Sequence, residues 1–184
     1  MKGKIVSVLF HIISWSVWAA VIAAIVYAVV LLCTGMEKPP VFTLNAAEVQ
    51  QVAADDAVLA ENGKSGDDWV RVSLDMTVAA NKYSPFSYTA ASFAPAEPLP
   101  FAAQDCFVTV DAPLSYSKIA PDDYVLSLYV RPASPAAVLQ ALPSLRFSMH
   151  DLTGYFVFMK FPFIYGSPSF TLSEFDAALL PAAA

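Results

Sequence analysis

The run Trp69-Val70-Arg71-Val72-Ser73-Leu74-Asp75-Met76-Thr77-Val78-Ala79 decides the fold class of this chain. Val70, Val72, Leu74, Met76 and Val78 fall on alternate positions, with Arg71, Ser73, Asp75 and Thr77 between them. A side-chain period of two belongs to a β-strand with one face buried and one face wet. A helix would mix the two sets, because its neighbours recur at every third and fourth residue. Upstream, Asn62-Gly63 and Ser65-Gly66-Asp67-Asp68 supply turn chemistry, so Ala57–Leu59 is expected to pair with this strand as a hairpin.

Working outward, further strands are expected at Val41–Asn45, Ser87–Phe93, Cys106–Asp111, Asp123–Val130, Ser144–Met149, Tyr155–Tyr165 and Ser169–Leu172. Tyr124, Leu126, Leu128 and Val130 share a face, as do Leu145, Phe147 and Met149. All 14 prolines fall at or after Pro39. Proline breaks helix interiors and cannot donate to a ladder, so elements here must be short and separated by turns. One short helix is expected, with Ser134 as cap, Pro135 in the first turn, and Ala136–Leu142 ending at Pro143. A second, weaker helical signal covers Ala46–Ala54. The residues 41–184 thus read as mainly β, an antiparallel β-sandwich with one short helix.

The 57% hydrophobic and 14% charged composition is more apolar than a soluble domain's. The excess lies at the N-terminus, where no Asp, Glu, Lys or Arg occurs from Ile5 to Gly35. Ile12–Leu32 is nearly all apolar and long enough to cross a hydrocarbon core of about 30 Å. A cleaved signal peptide has an apolar run of only about 7–15 residues before a small-residue cleavage site, and Leu31-Leu32-Cys33-Thr34-Gly35 offers no such site. The chain therefore divides into a short tail at 1–4, a single transmembrane helix at 5–35 acting as signal-anchor, a linker at 36–40 and the β-domain at 41–184. Lys2 and Lys4 on one flank, against Glu37 and Lys38 on the other, place the N-terminus in the cytosol. The domain then faces the lumen, the cell exterior or the periplasm. Ala19, Ala20, Ala23, Ala24 and Ala28 allow close helix approach, hence homo-oligomers through the membrane helix.

After Pro39 the chain holds seven Lys and Arg against fifteen Asp and Glu, a formal charge of −8. That balance excludes a nucleic-acid partner, which needs a basic patch. Catalytic signatures are missing: no G-x-S-x-G, HExxH, Walker or Rossmann pattern occurs. His150-Asp151 reads as surface turn residues. Asp55-Asp56, Asp67-Asp68 and Asp122-Asp123 read as solvated turn acids without Ca²⁺-loop spacing. Cys106 reads as a buried small hydrophobe. No catalytic, cofactor-binding or metal-binding residue is assigned, and no cofactor is expected. The stretch YFVFMKFPFIY, Tyr155–Tyr165, reads as a central core strand, with Pro162 marking a bulge or an edge. Its alternative reading is an exposed interaction or lipid surface formed by Phe156, Phe158, Phe161 and Phe163.

A family resemblance rests on two blocks. The basic N-terminus and membrane helix followed by Pro39-Pro40-Val41-Phe42-Thr43-Leu44-Asn45-Ala46-Ala47-Glu48-Val49 resembles the start of a plant late-embryogenesis-abundant group 2 domain of the harpin-induced-like, membrane-anchored branch. Val72–Ala80 running into Asn81-Lys82-Tyr83 and then Phe86-Ser87-Tyr88 resembles that family's next block, in which Asn-Pro-Asn precedes a Tyr; Lys82 and Tyr83 depart from the Pro and the second Asn. The resemblance covers about Lys2–Phe93. It implies an immunoglobulin- or fibronectin-like sandwich on a plasma-membrane or endomembrane anchor, a role in pathogen-defence or water-stress response, and no catalytic residues. Asn81 would be a turn residue. The expected function is a non-enzymatic, single-pass membrane-anchored interaction protein with an unknown protein partner; the alternative is a lipid-binding or lipid-handling β-domain at a membrane surface.

Overall fold

The computed structural model describes residues 2–37, 39–66, 68–90, 92–96, 100–132, 135–156, 159–162 and 167–181. A 36-residue helix, α1 (Lys2–Glu37), comes first. It contains the window Phe10–Val30, long and apolar enough to cross a membrane and with none of that window buried against the rest of the chain. The helix continues two residues past the expected anchor end at 35.

Everything downstream is mainly β and antiparallel. β1 (Val41–Gln51), β2 (Val70–Ala79), β7 (Asp122–Val130) and β5 (Cys106–Val110) form one sheet in the order β1-β2-β7-β5. β3 (Ser87–Ala90), β6 (Leu114–Ser117), β9 (Thr153–Phe156) and β10 (Met159–Pro162) form a second, ordered β10-β9-β3-β6. β4 (Ser92–Pro95), β8 (Arg146–His150) and β11 (Ser169–Thr171) form a third, ordered β11-β8-β4. The helices α2 (Ala57–Glu61) and α3 (Pro135–Ala141) close two of the connections.

β2 obeys its sequence pattern. Val70, Val72, Leu74, Met76 and Val78 are buried, while Arg71, Ser73, Asp75 and Thr77 stand on the opposite face. β7 answers it with buried Tyr124, Leu126, Leu128 and Val130, paired from Val70–Val130 to Val78–Asp122. Phe93, Phe147 and Phe170 come from the third sheet and Tyr88 and Tyr116 from the second, so all three sheets share one apolar core. Each large side chain buried there contributes about 1.5–3 kcal/mol of transfer free energy.

The second and third sheets share one register. Thr89 faces Thr153 and Ser92 faces His150, so the same three-residue step occurs on both strands. The expected strand Ser87–Phe93 is described as β3 and β4, on either side of residue 91, which lies outside the described residues. Between His150 and Thr153, Asp151 takes φ +55°, a left-handed conformation that Asp tolerates better than most residues.

Several expectations are corrected. The helical signal at Ala46–Ala54 gives way to strand through Gln51, because β1 pairs with β2 along its whole length around one bulge at Asn45; tertiary pairing overrides weak propensity. Ala57–Leu59 is not a hairpin strand but the start of α2, capped by the Asp56 carboxylate, which accepts from the Val58 and Leu59 N–H groups. Tyr155–Tyr165 is not one central strand. It reverses after Phe156, which faces Met159, and β10 returns as the sheet's edge. Pro162 sits on that edge strand opposite Thr153, where its missing donor costs no ladder bond. His150 ends β8 rather than lying in a turn. β6 had no sequence expectation, yet its Leu114 and Tyr116 are buried. The helix expected from Ser134 is α3, with Ser134 itself outside the described residues.

Candidate functional site: the anchor-side end of the β-domain

Hydrogen-bonded pairing runs from the point where the chain leaves α1 across two sheets. Val41 faces Ala79. The next residue, Ala80, donates its N–H to the Ser117 carbonyl at 3.4 Å. Ser117 faces Ser87, Ser87 faces Tyr155, and Tyr155 faces Lys160. This row lies at the end of the domain where the chain leaves α1, and the β9–β10 hairpin pairs one step beyond it, at Phe156 and Met159. The β2–β3 turn (Asn81–Phe86) and the β6–β7 turn (Lys118–Pro121) project beyond it.

The β2–β3 turn is built by its own side chains. The Asn81 Oδ1 accepts from the Tyr83 N–H at 2.9 Å, and the Asn81 carbonyl accepts from Ser84 N–H at 2.9 Å. Ser84 is fully buried, and its hydroxyl meets the Tyr88 hydroxyl. Such Asx-type bonding lets a tight turn satisfy its own backbone. It presents Lys82 and Tyr83 outward, with the Lys82 ammonium 5.0 Å from the Tyr83 ring centre. The β6–β7 turn is held by Ser117 Oγ, which accepts from the Ile119 and Ala120 N–H groups. It presents Lys118 and Ile119, and Ile119 is 86% exposed.

Of the four phenylalanines singled out by sequence, only the Phe156 side chain is described. It packs on Phe86 at 6.1 Å, at the margin of the core. Phe158 and Phe163 lie outside the described residues, and for Phe161 only the backbone is described. The residues that do stand at this end, Lys82, Tyr83, Lys118 and Ile119, were not singled out. The available signal was their position: each pair occupies a turn whose flanking strands start or stop at the row of Val41.

The remaining polar candidates act as local supports. Asp56 caps α2. Asp122 accepts from the Ser115 N–H at 2.7 Å, and Asp123 accepts from the Thr77 hydroxyl at 2.6 Å. His150 Nδ1 meets Ser167 Oγ at 3.4 Å, while Asp151 accepts from Ser92 Oγ at 3.4 Å; the two neighbours engage different partners and make no relay. Among the described residues no three His, Cys, Asp or Glu side chains cluster as metal donors. Cys106 is buried, and burial, with Asp105 adding to it, pushes its thiol up against a lowering by Lys64. A thiol held protonated is a weak nucleophile.

Sequence reasoning also missed a cluster at the opposite end. Trp69, Tyr129, Leu59 and Val52 form a small second core with Phe107, whose ring stacks on Tyr129 at 4.8 Å. The Arg131 guanidinium lies 5.0 Å from the Trp69 ring centre, pairs with Asp68 at 2.9 Å and donates to the Ser65 carbonyl at 2.8 Å. Gly66 has φ +110°, and a Cβ there would stand 2.8 Å from the Asp68 carboxylate. This is a clasp that ties the 62–69 loop to the end of β7. A third feature is an open groove of about 370 Å³ between β4 and β5, lined by Phe93, Val108, Val110 and Asp111 among others.

No protein-family model, curated protein or solved structure matches this chain.

Proposed function

We propose that the chain is a single-pass membrane protein that holds an antiparallel β-domain at a membrane surface as a non-enzymatic interaction module. The observation that carries this reading is α1. Its Phe10–Val30 window is nearly all apolar and none of it is buried by the rest of the chain, so in water it would expose a full helix of apolar surface. Lipid removes that cost. Lys2 and Lys4 favour a cytosolic N-terminus and a domain in the lumen or outside the cell.

The sandwich type we propose is immunoglobulin- or fibronectin-like, from the shared core of antiparallel sheets and from the resemblance to late-embryogenesis-abundant group 2, harpin-induced-like proteins. The Asn81 turn agrees with the role that resemblance implies for it. On the same ground we propose a part in pathogen-defence or water-stress response through a protein partner. The lipid-handling alternative draws on Phe156 alone among the described side chains, and that ring is turned to Phe86.

The test is topology. The full chain with a C-terminal tag is expressed in cells, and sealed vesicles with the cytosolic face outward are treated with protease. The tag is expected to survive until detergent is added, and the chain is expected to resist alkaline carbonate extraction. A tag digested in sealed vesicles overturns the orientation. Extraction by carbonate overturns the anchor. Loss of the gene leaving tolerance to pathogen and water deficit unchanged would remove the proposed physiological role.

A further inference from the structure

We propose that the anchor-side end of the β-domain rests on anionic lipid headgroups, with Lys82, Lys118 and Lys160 as the electrostatic contacts and Tyr83 and Ile119 as interfacial wedges. This rests on the reading of α1 as a membrane anchor, not on which face of the membrane the domain occupies, and names what that anchored domain touches.

Connectivity places this end at the bilayer. Glu37, the last residue of α1, lies seven residues beyond Val30, the end of the apolar window. That is about 10 Å along a helix axis, and headgroups occupy roughly 5–7 Å beyond each side of the hydrocarbon. The helix therefore ends near the outer boundary of the headgroups. Only residues 38–40 separate it from Val41, a reach of at most about 14 Å. Val41 belongs to the row at this end of the domain, with Ala79 opposite and Lys82 three residues further on.

Charge is sorted along the domain in the sense a membrane would select. Of seven basic residues after Pro39, Lys82 and Lys118 occupy the two projecting turns and Lys160 stands exposed in the row of Val41. Acids placed at this end are Asp122 and Asp123, which already accept from Ser115 and Thr77, and Glu37 at the end of α1. A domain whose formal charge is −8 is repelled by an anionic surface in most orientations. The end that gathers three of the domain's seven basic residues is the one that can approach it. Among the described residues none of these lysines makes an ion pair, so binding headgroups breaks no bridge described within the protein.

The apolar groups match the depth. Ile119 is 86% exposed at a turn tip, and Tyr83 is 42% exposed beside Lys82. An isoleucine held outward on a tight turn gains little from the fold and much from the headgroup–acyl boundary. Tyrosine favours the interface itself, because its ring is apolar and its hydroxyl is wet.

The experiment uses the unaltered full chain in detergent micelles, in phosphatidylcholine vesicles and in vesicles that also contain phosphatidylglycerol. Lysines are labelled with a membrane-impermeant amine reagent and quantified by mass spectrometry. Lys64, at the opposite end, is the internal standard, so chains facing inward drop out of the ratio. In phosphatidylglycerol vesicles, labelling of Lys82 and Lys118 is expected to fall at least about fivefold relative to Lys64, the factor that corresponds to one lysine held at an anionic surface. The protection should relax in high salt and be weakened by Ile119→Asp. Lys82 and Lys118 labelling like Lys64 in those vesicles, in a chain that still resists carbonate extraction, would overturn this proposal and leave the anchor standing. Extraction by carbonate would remove the anchor and this proposal together. Equal protection in both vesicle types, indifferent to salt, would overturn the anionic headgroup as occupant. Protection already present in micelles and rising with protein concentration would assign the surface to a second copy of the chain instead.

Discussion

Tyr124 lies in the core with its hydroxyl 3.6 Å from the Met76 sulfur and its ring stacked on Phe93 at 5.4 Å. Tyr116 repeats the arrangement, with its hydroxyl 3.6 Å from the Met149 sulfur and its ring stacked on Tyr88 at 5.2 Å. Thioether sulfur is a weak acceptor, so these phenols give up water for little, and the fold tolerates this because the rings bury so much apolar area. Burial pushes both phenols far up from their ordinary range, and each neighbouring tyrosine adds to the shift. The unfolded chain ionises near pH 10 while the folded chain keeps both protons. Stability from this pair is therefore complete below about pH 10 and is lost as pH rises beyond it, by roughly 1.4 kcal/mol per pH unit for each tyrosine. Urea midpoints measured across the alkaline range should fall steeply, and Tyr124→Phe should make the fall shallower. A midpoint that stays level past the pKa of free tyrosine would show that these phenols ionise in place.

At the scale of elements, α2 is the sharpest test of how local chemistry is committed. It has five residues, too few to hold together unaided. Two things secure it. The Asp56 carboxylate accepts from Val58 N–H at 2.8 Å, and Leu59 is wholly buried with Val52, Trp69 and Tyr129. Asp56→Ala should cost about 1 kcal/mol and Leu59→Ala about 2–5 kcal/mol, both read as shifts in urea midpoint. A Leu59→Ala loss under 1 kcal/mol would mean that the second core is dispensable. None of this was legible beforehand, because one and a half turns carry no helical period and Asn62-Gly63 reads equally as a hairpin turn. β2 and β7 were legible for the opposite reason: each is long, β2 alternates along its whole length, and β7 alternates from Tyr124 to Leu128 before Tyr129 is also buried, in the second core. β1 was read short because Ala46, Ala47, Glu48 and Gln50 favour a helix until β2 supplies partners for them. The aromatic run at 155–165 misled because residue type marks strand but not reversal. The anchor-side lysines escaped notice because their meeting depends on register between β2, β3, β6 and β9, which no single segment encodes.

For the whole molecule, the division of labour between α1 and the β-domain makes a prediction that neither part makes alone. No residue of the Phe10–Val30 window is buried by the domain, and the core is closed by strands and short helices without it. Charging the middle of α1 should therefore abolish membrane residence and leave the domain's packing intact. Val21→Arg with Ile25→Arg places two guanidinium groups at the helix centre, each costing about 2.5–3.5 kcal/mol for insertion. Near-ultraviolet circular dichroism is the readout for packing, since Trp69 and the stacked Phe107–Tyr129 and Phe93–Tyr124 pairs are asymmetric chromophores inside the domain. The expected result is a chain that carbonate releases, with the near-ultraviolet signal of Trp69 and the tyrosines unchanged. Release together with loss of that signal would mean that the domain leans on its helix to fold. Retention in the membrane despite both arginines would mean that the chain is held there by its domain, and the lysine-bearing end would then carry more of the attachment than α1.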